Sequence, residues 1–166
     1  MKGLVLGIVS SNNHLVVSYQ DPGRVERITM EGRITHGLNN QTADRELFKW
    51  PYFITTSRDG LINVSDQGTD TITQLDHNIQ VLQAFNSPTM KSPGGIVCVS
   101  NNQLIVADYG SHNILVLDTT TGTMTALLGQ EEGIKYPCAV DWCQFSQKLY
   151  VSRDGDIRSL NVYRLR

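Results

Sequence analysis

Gly95-Ile96-Val97-Cys98-Val99-Ser100-Asn101-Asn102-Gln103-Leu104-Ile105-Val106-Ala107-Asp108-Tyr109-Gly110-Ser111-His112-Asn113-Ile114-Leu115-Val116-Leu117-Asp118 is the stretch on which the fold turns. Apolar runs of five or six residues alternate with polar pairs or quartets, which is the pattern of short strands and tight turns. Residues 95–100 read as an almost wholly apolar strand, consistent with burial on both faces. Asn101-Asn102 reads as a turn in which asparagine tolerates left-handed backbone angles. Residues 103–108 and 113–118 follow as strands around the turn 109–112. Residues 119–122 turn again, 124–128 form a weaker fourth strand, and the polar segment 129–136 leads to Pro137.

The central phrase of this unit recurs. Leu15-Val16-Val17-Ser18-Tyr19, Ile62-Asn63-Val64-Ser65-Asp66, Leu104-Ile105-Val106-Ala107-Asp108 and Leu149-Tyr150-Val151-Ser152-Arg153 share an apolar-x-Val-small-x form, and their last residues are 47, 42 and 45 positions apart. Such a period marks one supersecondary unit used repeatedly, each burying its apolar face against a neighbour. Four antiparallel strands in forty-odd residues describe a propeller blade. The second unit places strands near 53–56, 61–66, 71–76 and 79–85. The first starts at Leu4 and shares Ser-Asn-Asn-x-Leu-x-Val with the third. The fourth stops after a third strand near 156–162. An apolar residue stands nine past the anchor in three units (Ile28, Leu75, Leu117); in the fourth, Leu160 stands seven past, predicting a hairpin shortened by two at Asp154-Gly155 or Gly155-Asp156. The expected fold is all-β: a partial β-propeller of about four antiparallel four-stranded blades, the last incomplete. It forms a single domain, 1–166, with blades at 3–49, 50–92, 93–136 and 137–166.

Pro93-x-Gly95-Ile96, then Val106-Ala107-Asp108-x-Gly110-Ser111-His112-Asn113-Ile114, resembles an NHL repeat, whose signature is a Pro-Gly-Ile opening, Val-Ala-Asp, and then Asn-His-Arg/Leu-Ile. His112 falls on the family's histidine, while Ser111 and Asn113 depart from its neighbours. The second and fourth units keep the opening Pro51 and Pro137 but lose the histidine, and the first has Leu4 in place of the proline. The resemblance implies a propeller of five or six blades, of the kind found at the C-terminus of tripartite-motif ubiquitin ligases. With three blades and a fraction, the chain is expected to derive from a longer parent. The ligase chemistry would lie there, since this sequence has neither Cys/His zinc spacing nor heptads. A partial set of blades also leaves apolar flanks uncovered, so self-association or marginal stability is expected of the chain alone.

The composition agrees. Charged residues make up 18% of 166 and the net charge is −2, a β-rich pattern at a length that buries about two thirds of its surface. Near-neutrality gives no reason to expect a membrane or nucleic acid as partner. Lys2 followed by the short apolar run 4–9 reads as a strand and not a leader. Cys98, Cys138 and Cys143 lack C-x-x-C spacing and read as small hydrophobes in a reducing, cytoplasmic setting. Asn40-Gln41-Thr42 and Asn63-Val64-Ser65 match the glycosylation pattern, and neither is expected to be used.

Function falls to loops on one face of the blades: 19–24, 39–49, 66–70, 87–92, 109–112, 129–136 and 153–156. Tyr19, Arg24, Tyr109, His112, Tyr136 and Arg153 are the candidate partner-binding residues, because Tyr and Arg dominate interface energetics. Asp66 and Asp108, with the opening Pro51, Pro93 and Pro137, read as structural residues of the repeat, the two carboxylates accepting hydrogen bonds from turn amides. His112 is expected to hydrogen-bond within or between blades, and Trp50 and Trp142 to pack in the core or between blades. The face carries ten acids (Asp21, Asp44, Glu46, Asp66, Asp70, Asp108, Glu131, Glu132, Asp154, Asp156) against six bases (Arg24, Arg45, Lys49, Lys91, Lys135, Arg153). Some NHL propellers bind RNA through a basic version of this face, and the acid excess disfavours RNA here. No G-x-S-x-G, phosphate loop or H-E-x-x-H occurs. Some related propellers are metal-dependent lyases or lactonases, but Ile8, Val9, Ile54, Ile96, Val97 and Val140 dominate the innermost strands, and Asp141 alone offers a carboxylate. No cofactor and no metal are expected. The expected role is a non-catalytic module recognising a protein or peptide.

Overall fold

A computed structural model describes residues 3–39, 47–154 and 159–165. The chain divides into two compact units, Met1–Asn86 and Ser87–Arg166. In the first, β1 (Leu4–Ser11), β2 (His14–Gln20), β3 (Arg24–Thr29) and β4 (Ile34–Asn39) form one antiparallel sheet in chain order. A second sheet joins β5 (Pro51–Thr56), β6 (Ile62–Asp66), β7 (Thr71–Leu75) and β8 (Val81–Phe85). The second unit repeats this with β9 (Pro93–Ser100), β10 (Gln103–Asp108), β11 (Asn113–Asp118) and β12 (Met124–Leu128). It adds a three-stranded sheet of β13 (Pro137–Cys143), β14 (Lys148–Arg153) and β15 (Ser159–Arg164). Among the described residues the architecture is all-β, three four-stranded sheets and one of three strands, in propeller blades as the repeat predicts, with one 3-10 turn at Gln130–Glu132.

The repeated phrase is the second strand of each sheet. Flanked on both edges and packed on both faces, it is the most buried: every residue of β6 and all but the first of β10 are inaccessible. That burial explains why apolar and small residues dominate the phrase and why its buried polar members, Asn63, Asp66 and Asp108, need partners. The outer strands alternate poorly; Val81 to Ala84 of β8 are exposed. Residues 95–100 were expected to be buried on both faces, but burial holds only through Ile96, and Val97, Cys98 and Val99 are half-exposed beside a cleft.

Register explains the opening proline. Pro51 lies opposite Asp66, Pro93 opposite Asp108 and Pro137 opposite Arg153, with a slip of one residue immediately after each. At the first position of a strand a proline withholds no ladder hydrogen bond. In the first blade Val5, and not Leu4, faces Tyr19. The residue after each anchor donates its amide to the residue before the proline: Gln67 to Trp50, Tyr109 to Ser92, Asp154 to Tyr136. Ser92 and Tyr136 hold left-handed φ angles of 53° and 48°, and Asp70 and His112, each closing the turn before a third strand, hold 53° and 59°. These angles recur with the blade and belong to its geometry.

Three readings are corrected by the coordinates. Asn12 and Asn13 adopt the left-handed turn (φ 47° and 60°), whereas Asn101 and Asn102 do not; there the register slips between Gln103 and Leu104, and the bulge accommodates the strand twist instead. In the fourth blade Leu149 pairs with Tyr163, and Arg153 with Ser159. The connection is thus one residue longer than the four between Asp108 and Asn113, and Leu160 does not take the place of Leu117. The turn residues first suggested, 155 and 156, lie outside the described residues. Finally Ile8, expected in a buried innermost strand, is 60% exposed.

Each unit has its own core. Val16, Val25, Phe48, Ile54, Ile62, Val64, Leu75 and Ile79 pack together in the first. In the second, Ile105, Ala107, Ile114, Ile134, Leu149 and Val151 do so, with Trp142 against them. Close approach of β9 and β13 needs Gly95: a Cβ there would sit 2.5 Å from the Ala139 Cα, inside backbone contact distance. Asn63 is buried and its side-chain oxygen accepts from Gln74 Nε2 at 3.1 Å, which leaves no room for a glycan; Asn40 lies outside the described residues.

Candidate recognition surface

The anchor position decides what each blade offers at its loop end. In the second blade Asp66 is fully buried. Its carboxylate accepts from the turn amides of Gly68 (2.8 Å) and Thr69 (3.0 Å), and also from Lys49 N (2.7 Å) and Trp50 N (3.0 Å) on the segment entering the blade. Asp108 does the same for Lys91 N, at 2.8 and 2.9 Å to its two oxygens, and accepts from the Ser111 hydroxyl. Sequence reasoning anticipates the turn amides and misses the entering strand, seventeen residues upstream, because only the register reveals it. With the Trp50 amide drawn to Asp66 and Pro51 turned inward, the Trp50 ring is 45% exposed, with Lys49 Nζ 5.7 Å from its centroid, where packing in the core or between blades is expected.

Among the candidate residues, the first unit brings Tyr19 and Arg24 together. The guanidinium carbon lies 3.9 Å from the Tyr19 centroid and Nε binds Glu26 Oε1 at 2.9 Å. Burial and the Glu26 carboxylate push the Tyr19 phenol above its ordinary range. Arg24, however, is 7% exposed. It was expected to anchor a partner from a loop; it is instead committed to Tyr19 and Glu26 inside its own unit, because the second and third strands place it directly opposite Tyr19.

The second unit gathers Tyr109, His112 and Tyr136. The tyrosine rings are tilted at 5.3 Å, His112 meets Tyr136 edge-on at 4.4 Å, and the Tyr136 amide donates to His112 Nδ1 at 3.2 Å. Two further bonds fix Tyr136, whose carbonyl accepts from Asp154 N at 3.0 Å and from Cys138 Sγ at 3.6 Å. Lys135 Nζ lies 5.7 Å from the Tyr136 centroid, within cation–π range. The Tyr109 phenol and the Cys138 thiol are both raised, first by desolvation and then by the Asp154 carboxylate. The result is a half-buried aromatic patch held by backbone geometry.

In the fourth blade the anchor is Arg153, with no carboxylate lock. Its Nε donates to Ser159 Oγ at 2.5 Å, and it lines a cleft with His112, Lys135, Gly133, Ile134 and Gln130. Lys135 was counted in the sequence only as one charge in an acid-rich face; its adjacency to Tyr136 was the available signal. That face needs recounting. Asp66 and Asp108 are buried on backbone amides and Arg24 on Glu26, while Asp44, Arg45, Glu46 and Asp156 lie outside the described residues. Taken by itself, the loop end of the second unit carries Glu131, Glu132 and Asp154 against Lys91, Lys135 and Arg153 among the described residues, three charges of each sign once the buried Asp108 is set aside. Among the described residues no group of three or more His, Cys, Asp or Glu is placed to hold a metal ion, and no helix is long and apolar enough to cross a membrane.

The NHL repeat family matches residues 91–117, the stretch that carries the Pro93 opening and the Asp108 lock. No curated protein matches the chain by sequence. Solved structures resemble it over nearly its whole length. Virginiamycin B lyase from Staphylococcus aureus superposes with a TM-score of 0.71 at 14% identity, covering 98% of this chain and 56% of the lyase. The RRP9 WD40 repeats give 0.81 at 14% identity, with 99% and 49% covered. A chain of a nidogen–laminin complex gives 0.78 at 16%, with 98% and 61% covered. At such identities the likeness speaks for the β-propeller fold alone. The chain spans about half to three fifths of the length of these proteins.

Proposed function

We infer that the chain is a non-catalytic recognition module that binds a protein or peptide partner through the loop end of its second unit. The observation that carries this is the Tyr109–His112–Tyr136 patch, beside which Lys135 and Arg153 share a cleft with His112. Aromatic and arginine side chains with little conformational freedom left to lose are the groups that anchor interfaces. The patch is fixed before any partner arrives, because three hydrogen bonds hold the Tyr136 backbone. A propeller scaffold of this type is a common protein-interaction platform, and an NHL repeat is present in the blade that supplies Tyr109 and His112. In the cell the module would be the partner-binding part of a cytoplasmic, tripartite-motif-like ubiquitin ligase.

The test is crosslinking with mass spectrometry on the chain bound to proteins captured from cytosol, beside a Tyr136→Ala variant. Crosslinks concentrated at residues 109–112 and 129–136, with capture reduced at least tenfold by the variant, support the reading. RNA recovered in place of protein, with binding that falls steeply with salt, overturns it. Turnover of virginiamycin B by the purified chain overturns its non-catalytic part.

A further inference from the structure

The connection between β12 and β13 separates two clefts of opposite character. On one side Glu131 and Glu132 line a hollow with Ser111 and Asn113. On the other, a cleft of about 370 Å³ is lined by His112, Lys135 and Arg153, with Gln130, Gly133 and Ile134, and among the described residues no acidic side chain lines it. Three features make the second a site for an anion. Because His112 accepts the Tyr136 amide at Nδ1, the proton of its neutral ring sits on Nε2, so the ring is a donor at its other nitrogen. Arg153 stands where the second and third blades spend a buried carboxylate on backbone amides, and its bond to Ser159 orients the guanidinium. Lys135 is exposed at the rim, its ammonium lying over the Tyr136 ring.

We propose that this cleft receives the side-chain carboxylate of an aspartate or glutamate in the peptide partner; the proposal rests on the recognition reading above and names its ligand chemistry. A carboxylate fits better than a phosphate. Lys135 and Arg153 are the two side-chain cations lining the cleft among the described residues, while Glu131 and Glu132 share a turn with Gln130 and Asp154 follows Arg153, so the local balance of charge suits one negative charge in place of the nearly two of a phosphate. The cleft's donors suit one planar, two-oxygen acceptor.

The probe is an immobilised library of random 12-residue peptides, with every binder resynthesised with Asp→Asn or Glu→Gln at each position and with one phosphoserine replacing the acid. The expected result is that one acidic position per binder costs about tenfold in affinity when neutralised. Lys135→Glu should weaken the same binders about tenfold, and a peptide with lysine at the acidic position should recover affinity for that variant. Because Lys135 is exposed, the variant is expected to fold, and an unchanged far-ultraviolet spectrum verifies it. Peptides that bind without any acidic dependence, or that Lys135→Glu leaves unaffected, overturn the carboxylate proposal while leaving the recognition reading intact. Tighter binding of the phosphoserine peptide overturns the preference for carboxylate. Failure of every peptide to bind overturns both readings.

Discussion

Replacing Asp66 with alanine removes the acceptor shared by four backbone amides, at 2.7 to 3.0 Å, from a position with no solvent exposure. Hydrogen bonds to a charged group contribute about 1.5–3 kcal/mol each, but they are not additive. The Lys49, Gly68 and Thr69 segments are exposed or half-buried, so water reaches part of what truncation orphans. The expected net loss is about 3–4 kcal/mol, or roughly 8–14 °C in melting temperature for a chain of this size. Asp66→Asn separates the contributions. One oxygen serves Trp50, Gly68 and Thr69, and the asparagine carbonyl can keep those three. Its amide would face the Lys49 N–H, so about 1–2 kcal/mol should be lost. Urea unfolding followed by circular dichroism, together with calorimetry, measures both. An alanine variant within about 0.5 kcal/mol of the parent, or an asparagine variant as damaging as alanine, would refute the view that this carboxylate clamps the entry of the blade.

Gly95→Ala should cost at least about 2 kcal/mol, since the added carbon meets the Ala139 backbone and not a flexible side chain; urea denaturation checks it. Cys143 should be alkylated by iodoacetamide ahead of Cys138 at pH 8, read by mass spectrometry, because the neighbouring polar groups of Ser146 lower the first thiol while burial and Asp154 raise the second. Stability should fall as pH climbs from about 9 to 11: Tyr19, Tyr109 and Cys138 are all raised in the fold, so the unfolded chain releases their protons first, binds fewer than the native state, and is favoured by alkali. Sedimentation velocity should show self-association at micromolar concentration, since β1 exposes Leu4, Val5 and Ile8 while β15 exposes Leu160 and Val162; a single monomeric boundary would count against it.

Much of the fold is legible in the sequence because the second strand is the most buried of its sheet, fully so in β6 and nearly so in β10. An apolar residue, a valine two places on and a small residue after it recur four times, in 15–19, 62–66, 104–108 and 149–153. What depends on pairing is less legible. Spacing sets Leu160 in the place of Leu117 on a shortened hairpin, yet Tyr163 lies opposite Leu149 because the connection is longer, and connection length leaves no mark on strand composition. Two identical Asn-Asn turns differ because a bulge next to one of them relieves the twist that the other must absorb. The candidate site is partly legible for the same reason. Tyr109, His112 and Tyr136 were readable as loop aromatics. The burial of Arg24, the long-range reach of Asp66 and the partnership of Lys135 with Arg153 arise from register across strands, which a linear reading does not contain.

Hydrogen–deuterium exchange on the bound chain tests the central claim most directly. If the second unit recognises its partner through the aromatic patch and the basic cleft, a saturating library-selected peptide should slow exchange at residues 109–112, 129–136 and 153–154, leaving Val99–Gln103 and Trp142–Gln147 at the opposite end of those sheets unchanged. Protection confined to that opposite end, or to residues of the first unit, would contradict the account.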